Sequence, residues 1–306
     1  MKRFAVYGTL YPIPGTLYPI PGTWYPIPDT RHPSPYTHLY PFSITIIAEG
    51  FIINNLFLCR AEKNNIIREG ISMKKIDLSI LKTEITGTDI AANLNRLITH
   101  FAGRVVFTTS FGIEDQVITD IIFRNDIDID VVAIDTGRMF EETYKVHANT
   151  LKTYKKPIRV YFPERDDVEK LMTEKGPYSF YNSVEYRKEC CHIRKVKPLG
   201  RALEGKRLWV TGIRSEQSPG RSSIGHLEYD EGHRIFKYHP LFDWTLQQVE
   251  DYLKKFHVPH NELHYQGYVS IGCAPCTRAI KPGEDFRAGR WWWEDQSGKE
   301  CGLHEK

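Results

Sequence analysis

The chain is predicted to fold as an α/β domain, a parallel sheet flanked by helices, on three observations. Short apolar strands alternate with helical stretches from about residue 88 onward. Several of those strands run directly into turns rich in glycine and hydroxyl residues. Five of the six cysteines lie at or after Cys190, in a spacing suited to chemistry rather than to a disulfide scaffold.

The elements follow in order. Ile90, Leu94, Leu97, Ile98 and Phe101 keep helical spacing, with Thr88 as the expected cap. RVVFTT (104–109) reads as a buried strand and Ile113 to Phe123 as the helix after it. DVVAID (130–135) is a second strand, with a helix from about Glu141 to Thr153. PIRVYF (157–162) is a third, followed by a helix over Asp166 to Glu174, and RLWVTGI (207–213) is a fourth. Thr245 to His257, with Leu246, Val249, Leu253 and Phe256 in phase, is an amphipathic helix.

Residues 1–72 have another texture. GTLYPIP occurs twice from Gly8, then GTWYPIP and a decayed DTRHPSP. Nine of the 18 prolines fall at or before Pro41, so neither helix nor interior strand is expected there. The segment is expected to be a disordered Pro/Tyr-rich extension, with Met73 as the working start and the repeat not translated in the native protein. Domain organisation is then 1–72 extension, 73–270 nucleotide-binding domain, and 271–306 a CxxC segment with a C-terminal tail. No signal peptide and no apolar run of membrane-spanning length is apparent.

The 306 residues are 41% hydrophobic and 26% charged, with Lys+Arg 41 against Asp+Glu 38. A net charge of +3 leaves no large basic footprint, so neither nucleic acid nor a membrane is an expected partner.

In parallel sheets ligands bind at the carboxyl ends of strands, so the turns there carry the argument. SFGIED (110–115) puts Ser110 and Gly112 before a helix N-terminus, where backbone N–H groups can meet an anion. It lacks the lysine of a phosphate-cleaving loop. Asp135-Thr136-Gly137 follows the second strand, and GIRSEQS (212–218) follows the fourth, placing Arg214 where it can meet a phosphate. The three turns together predict a nucleotide pocket.

Cys190-Cys191 and Cys273-Ala-Pro-Cys276 form a four-thiolate set suited to zinc or to an iron–sulfur cluster, with a redox CxxC or buried free thiols as plain alternatives. Adjacent cysteines converge poorly on one ion, whereas a cubane offers separate irons. Cys301 stands apart near the C-terminus, within ECGLH (300–304). Lys299, Arg287, Arg290 and His304 lie close in sequence, and cationic neighbours favour the nucleophilic thiolate. Trp291-Trp292-Trp293 reads as a lead-in anchoring this tail to the domain.

SFGIED, IDTG (134–137), CCHIRK (190–195), GIRSEQS and ECGLH, in this order, resemble the assimilatory adenylyl-sulfate reductases. That family lies within the Rossmann-like adenine-nucleotide α-hydrolase-like superfamily. The resemblance covers Met73 to Lys306 and not residues 1–72. It implies thioredoxin-dependent reduction of adenosine 5′-phosphosulfate to sulfite and AMP. It implies Cys301 as nucleophile through an S-sulfo intermediate, with His304, Lys195, Arg287 and Arg290 assisting. It implies a [4Fe–4S] cluster on Cys190, Cys191, Cys273 and Cys276. Ser110, Gly112, Asp135, Thr136, Gly137 and Arg214 are the expected nucleotide contacts. Relatives that reduce the 3′-phosphorylated nucleotide generally lack the four cysteines, which favours the unphosphorylated substrate. No fused thioredoxin-like domain is read here, so an external thioredoxin and a reducing cytoplasm are expected, and a homo-oligomer is left open. The alternatives are a 3′-phosphoadenylyl-sulfate reductase, an ATP-dependent RNA-thiolating enzyme, or a metal-stapled binding module in which Cys301 is irrelevant.

Overall fold

The computed structural model describes residues 78–85, 88–217 and 225–294, all on the C-terminal side of the division the chain makes after Leu58. The expectations for residues 1–72, for Cys301 and for His304 lie outside the described residues.

Helices α1 (Leu78–Glu84) and α2 (Ile90–Thr99) lead in. Ile90, Leu94 and Leu97 share one face of α2 and are buried. Its cap is Asp89 rather than the expected Thr88: the carboxylate accepts the Ala92 N–H at 3.0 Å. A charged cap also complements the helix dipole.

Six strands form one sheet: β1 (Val105–Thr109), β2 (Asp130–Ile134), β3 (Arg159–Tyr161), β4 (Leu208–Val210), β5 (Leu227–Asp230) and β6 (Ile235–Tyr238). Their order is β3-β2-β1-β4-β6-β5. All pairs are parallel except β5 with β6, so the expected parallel sheet carries one antiparallel edge strand. Helices α3 (Ile113–Arg124), α4 (Glu141–Tyr154), α5 (Arg165–Lys175), α6 (Val184–Cys191), α7 (Lys197–Leu203) and α8 (Leu246–Phe256) supply the crossovers and flanks. Strand side chains alternate between faces. Val105 and Phe107 join the larger core with Val117 and Ile118 of α3. Val106, Val132 and Trp209 pack on the other face against Leu199 and Leu203 of α7.

The chain leaves β1 for β2 and β3 on one side, then returns to lay β4 on the other. The crevice beyond β1 and β4 is therefore the topological switch point, where such sheets bind ligands. Two features hold its supports. Asp120 of α3, fully buried, accepts from Tyr154 of α4 at 2.6 Å, Tyr252 of α8 at 2.8 Å and Arg124 at 2.7 Å. Thr245 and Gln248 form a reciprocal capping box at the start of α8.

The β5–β6 hairpin carries a buried charge pair, Lys237 with Asp230, and the Lys237 ammonium stands 4.7 Å from the Trp209 ring centroid. Burial alone would raise the Asp230 carboxyl. Lys237 and the His233 backbone N–H outweigh it and hold the carboxyl down to about 2. A depressed carboxyl contributes stability above its unfolded value of about 4, and that contribution is lost as pH falls through its folded value. Asp230→Asn is expected to cost about 3 kcal/mol at pH 7 by stranding a buried ammonium. In urea titrations the gap from wild type is expected to narrow from about pH 4 down towards pH 2.

Candidate active site

At the switch point a cleft of about 270 Å³ opens between the ends of β1, β2 and β4. Gly112, Thr136 and Gly212 stand on its walls, each contributed by the turn after a different strand. Lys195, Arg287, Arg290 and Cys273 all line it, Lys195 and Arg290 lying near enough to Cys273 to act on its thiol, and Glu114, Asp115 and His264 add carboxylates and an imidazole to the lining.

The cationic groups arrive from two segments. Lys195 sits in a π-helical turn, His192–Val196, between α6 and α7. Pro198 has no N–H to give the carbonyl of Arg194, so the α-helical ladder has a gap at this point. Such widened turns recur at functional sites. Arg287 and Arg290 lie on the loop after Cys276, which returns so that Thr277 bridges Arg290 and the Arg278 N–H meets the Gly289 carbonyl at 2.9 Å. Two glycines lie under the return, and Gly289 is the one that backbone confines. A Cβ on Gly289 would stand 2.3 Å from the Arg278 carbonyl oxygen, and one on Gly272 2.2 Å from the Arg290 guanidinium.

The turn after β1 is closed on itself. Ser110 donates both its N–H, at 2.6 Å, and its hydroxyl, at 2.7 Å, to one oxygen of Asp115. The other oxygen lies against Gly212, where a Cβ would fall 2.2 Å from it. Burial pushes the Asp115 carboxyl up to about 6, against the pull of the Ser110 donors. The donors expected to greet an anion are thus already engaged. Gly112 caps α3 through its backbone position alone.

The turn after β2 faces the cysteines. The Thr136 hydroxyl lies 3.2 Å from Cys273 Sγ, and the Thr136 carbonyl accepts from Arg194 at 2.7 Å. Asp135 is buried and accepts from the Gly137 N–H at 2.7 Å and the Tyr144 hydroxyl at 3.1 Å, so it shapes the turn from behind the lining. Gly137, at φ +68°, lies close to Arg194. Arg214 is buried, bonded to Glu114 and to Glu216 at 2.9 Å each. It braces the acidic wall and does not line the cleft.

Behind the cleft, Cys190, Cys191, Cys273 and Cys276 line a second, small pocket with Arg138, Arg187, Arg194, Lys195 and Trp291. None of the four is joined in a disulfide. Lys195 and Cys273 line both cavities and form the wall between them. Burial raises the thiols of Cys190 and Cys276, the latter to about 12. Burial acts on Cys273 too, but Lys195, the Thr136 hydroxyl and Arg290 overcome it and leave that thiol below its ordinary value. Among the described residues no three His, Cys, Asp or Glu side chains stand in a geometry that holds a single metal ion. The surroundings nevertheless suit a polyanionic thiolate group. Two buried donors beside the thiols, Trp291 Nε1 and Arg194 Nε, have no partner among the described residues. Trp291 and Trp293 anchor the segment: Trp291 is fully buried and Trp293 packs 4.4 Å from the Tyr181 ring.

The structure therefore brings Ser110, Gly112, Thr136, Lys195, Arg287, Arg290 and Cys273 to one cleft, and the four cysteines to its back wall. Asp135, Gly137 and Arg214 stand behind the lining. Sequence reasoning missed Asp115 as a cleft residue. It also missed His264, whose buried Nε2 has no partner among the described residues and whose imidazole burial holds below its ordinary value. Their signals were the place of Asp115 inside SFGIED (110–115) and that of His264 three residues after the helix-capping Asn261.

A switch-point cleft with glycine turns and a cationic end defines the nucleotide-binding class of α/β enzymes. The chain belongs to the phosphoadenosine phosphosulfate reductase domain family, whose model matches residues 104–279. A protein of Agrobacterium fabrum named adenosine 5′-phosphosulfate reductase is 46% identical over 228 residues, covering 74% of this chain and 87% of that one. One of Neisseria meningitidis with the same name is 46% identical over 200 residues, covering 65% and 81%. Among solved structures, phosphoadenylyl-sulfate reductase from Candida auris, a phosphate complex, superposes with a TM-score of 0.50 at 25% identity, over 62% of this chain and 96% of that one.

The guanidinium of Arg187 spans both oxygens of Glu294 at 2.9 Å each, both side chains being buried, and lies 4.5 Å from the Trp291 ring centroid. This pair ties α6, with the paired cysteines, to the segment after the CxxC. Arg187→Ala is expected to cost about 3–5 kcal/mol in chemical unfolding. Arg187→Lys should recover only part of that, because an ammonium cannot make the two-point contact.

Proposed function

We propose that this chain reduces adenosine 5′-phosphosulfate to sulfite and AMP with two electrons from a thioredoxin dithiol. One observation carries the reading: Lys195, Arg287 and Arg290 converge on a nucleotide-sized cleft, against a wall of thiols. Relatives at 46% identity carry the name of this activity over most of their length.

The phosphosulfate is polyanionic and repels an approaching thiolate. Cations around it offset that repulsion and stabilise charge developing on the departing phosphate. In the proposed step the Cys301 thiolate attacks the sulfur, a sulfur–sulfur bond forms, the sulfur–oxygen bond to phosphate breaks, and AMP leaves with the electron pair. A thioredoxin thiolate then attacks the Cys301 sulfur and sulfite departs with the pair of the broken sulfur–sulfur bond. The second thioredoxin thiol resolves the mixed disulfide and returns Cys301 as a thiolate. The sulfur of the substrate gains two electrons and the dithiol loses two. His304 is assigned to the same tail, assisting Cys301.

Cys190, Cys191, Cys273 and Cys276 are the residues that would hold a [4Fe–4S] cluster, with Trp291 Nε1 and Arg194 Nε as donors towards its sulfurs. Bound there, the cluster would supply structural cross-linking and a fixed negative charge beside Lys195. No helix among the described residues is long and apolar enough to cross a membrane. The reducing cytoplasm is the proposed location, since the thiols must stay free.

Cys301→Ser is expected to lower turnover by at least about a thousandfold, the scale for losing a nucleophile, while AMP binding and the iron and acid-labile sulfide content stay at wild-type levels. Turnover within tenfold of wild type, on the same assay, would remove Cys301 from the mechanism.

A further inference from the structure

Resting on the functional reading above, we propose that the Thr211 hydroxyl accepts a hydrogen bond from the nucleoside part of the bound nucleotide, and that His239 behind it fixes the hydroxyl as an acceptor. The ligand group it takes is a neutral donor, the 6-amino group of the base or a ribose hydroxyl.

Three neighbouring strands bring the residues together. In the order β4-β6-β5, Thr211 follows β4, His239 follows β6 and Glu228 lies on β5. Their backbones are pinned at this edge of the sheet. The Thr211 N–H donates to the Tyr238 carbonyl at 3.0 Å, and the His239 N–H donates to the His226 carbonyl at 2.7 Å. Thr211 lines the nucleotide cleft beside Gly212. Its hydroxyl oxygen lies 2.6 Å from Nδ1 of His239, and the other ring nitrogen, Nε2, faces Glu228 Oε1 at 3.5 Å. The His239 ring is fully buried.

These contacts set the direction of one proton. The tautomer of a histidine is assigned from the partners of its two nitrogens. A carboxylate only accepts, so Glu228 draws the imidazole proton to Nε2. At 3.5 Å that contact is long for a hydrogen bond and acts through charge. Nδ1 then keeps a lone pair, and the Thr211 hydroxyl must donate to it. A hydroxyl has one proton and two lone pairs. With the proton turned towards His239, Thr211 offers only lone pairs to a ligand in the cleft.

That polarity selects the part of the ligand that Thr211 meets. The ionised oxygens of a phosphosulfate carry lone pairs and no proton, so an accepting hydroxyl repels them. The nucleoside carries the donors. Thr211 is thus a nucleoside contact, whereas His239 is a positioning residue that acts through it. A buried acceptor of this kind also penalises any ligand that leaves it unpaired.

Dissociation constants of the whole chain for AMP and three analogues test this. Purine riboside 5′-monophosphate lacks the 6-amino group, and 2′-deoxy-AMP and 3′-deoxy-AMP each lack one ribose hydroxyl. In wild type one of these deletions should weaken binding about tenfold, the scale of a single hydrogen bond. In Thr211→Val and in Thr211→Ala the same deletion should cost about twofold or less, and the analogue whose penalty disappears identifies the donor. His239→Gln, whose amide oxygen can accept the Thr211 proton, should keep most of the wild-type penalty. His239→Leu, which lets the hydroxyl turn, should lose most of it. Each penalty is a ratio within one variant, so a general loss of stability cancels. Penalties equal in wild type and both Thr211 variants for every analogue would overturn the proposal and leave Thr211 and His239 a tie between strands. A wild type indifferent to all three deletions would overturn it as well. A penalty removed by the Thr211 variants yet intact in His239→Leu would overturn the role of His239. Failure of wild type to bind AMP would instead overturn the functional reading on which the proposal rests.

Discussion

Everything chemical in this fold depends on a wall shared by two cavities. Lys195 and Cys273 face the nucleotide cleft on one side and the thiol pocket on the other. Burying several thiolates is costly unless cations or metal offset their charge, and holding a polyanionic nucleotide is costly for the same reason. Lys195, which lines both cavities, stands where one cation would serve both needs. The Thr136 hydroxyl, 3.2 Å from Cys273 Sγ, ties the same wall to the end of β2.

The sheet makes that wall rigid. The strand order puts the cleft at the switch point, and the register sets the turns after β1, β2 and β4 side by side. The widened turn at His192–Val196 lies between the paired cysteines and α7, and carries Lys195 four residues after Cys191. The CxxC segment is fixed separately, by Gly272 under Arg290, Gly289 under Arg278, and the buried Arg187–Glu294 pair. These contacts join elements far apart in sequence, and charges fixed in this way are the kind that act as preorganised groups in catalysis.

Much of this was legible in the sequence. The first three strands and the helices after them fall within about two residues of their expected bounds, because local periodicity agrees with the fold there. The β5–β6 hairpin escaped because Lys237 interrupts what is a fully buried strand. Among the described residues its charge is met by Asp230 and the Trp209 face, partners that a reading of hydropathy does not reveal. Arg214 looked like a phosphate ligand at a strand end, yet tertiary packing sets it between Glu114 and Glu216. Ser110 looked like an open anion seat, yet its donors end on Asp115, five residues further along. In each case residue type and position along a strand were readable, while the pairing of charges across elements was not. The cysteine spacing was the most informative motif, since the fold brings residues some eighty positions apart to one pocket.

In the proposed mechanism four cysteines are held at the back of the cleft and one, Cys301, reacts. That division is tested most directly by mixing the anaerobically purified protein with adenosine 5′-phosphosulfate in the absence of any reductant, then quenching and mapping the peptides by mass spectrometry. One equivalent of AMP should be released and one sulfonate should be found on Cys301. A sulfonate on Cys190, Cys191, Cys273 or Cys276, or AMP release with no adduct on the protein, would contradict it.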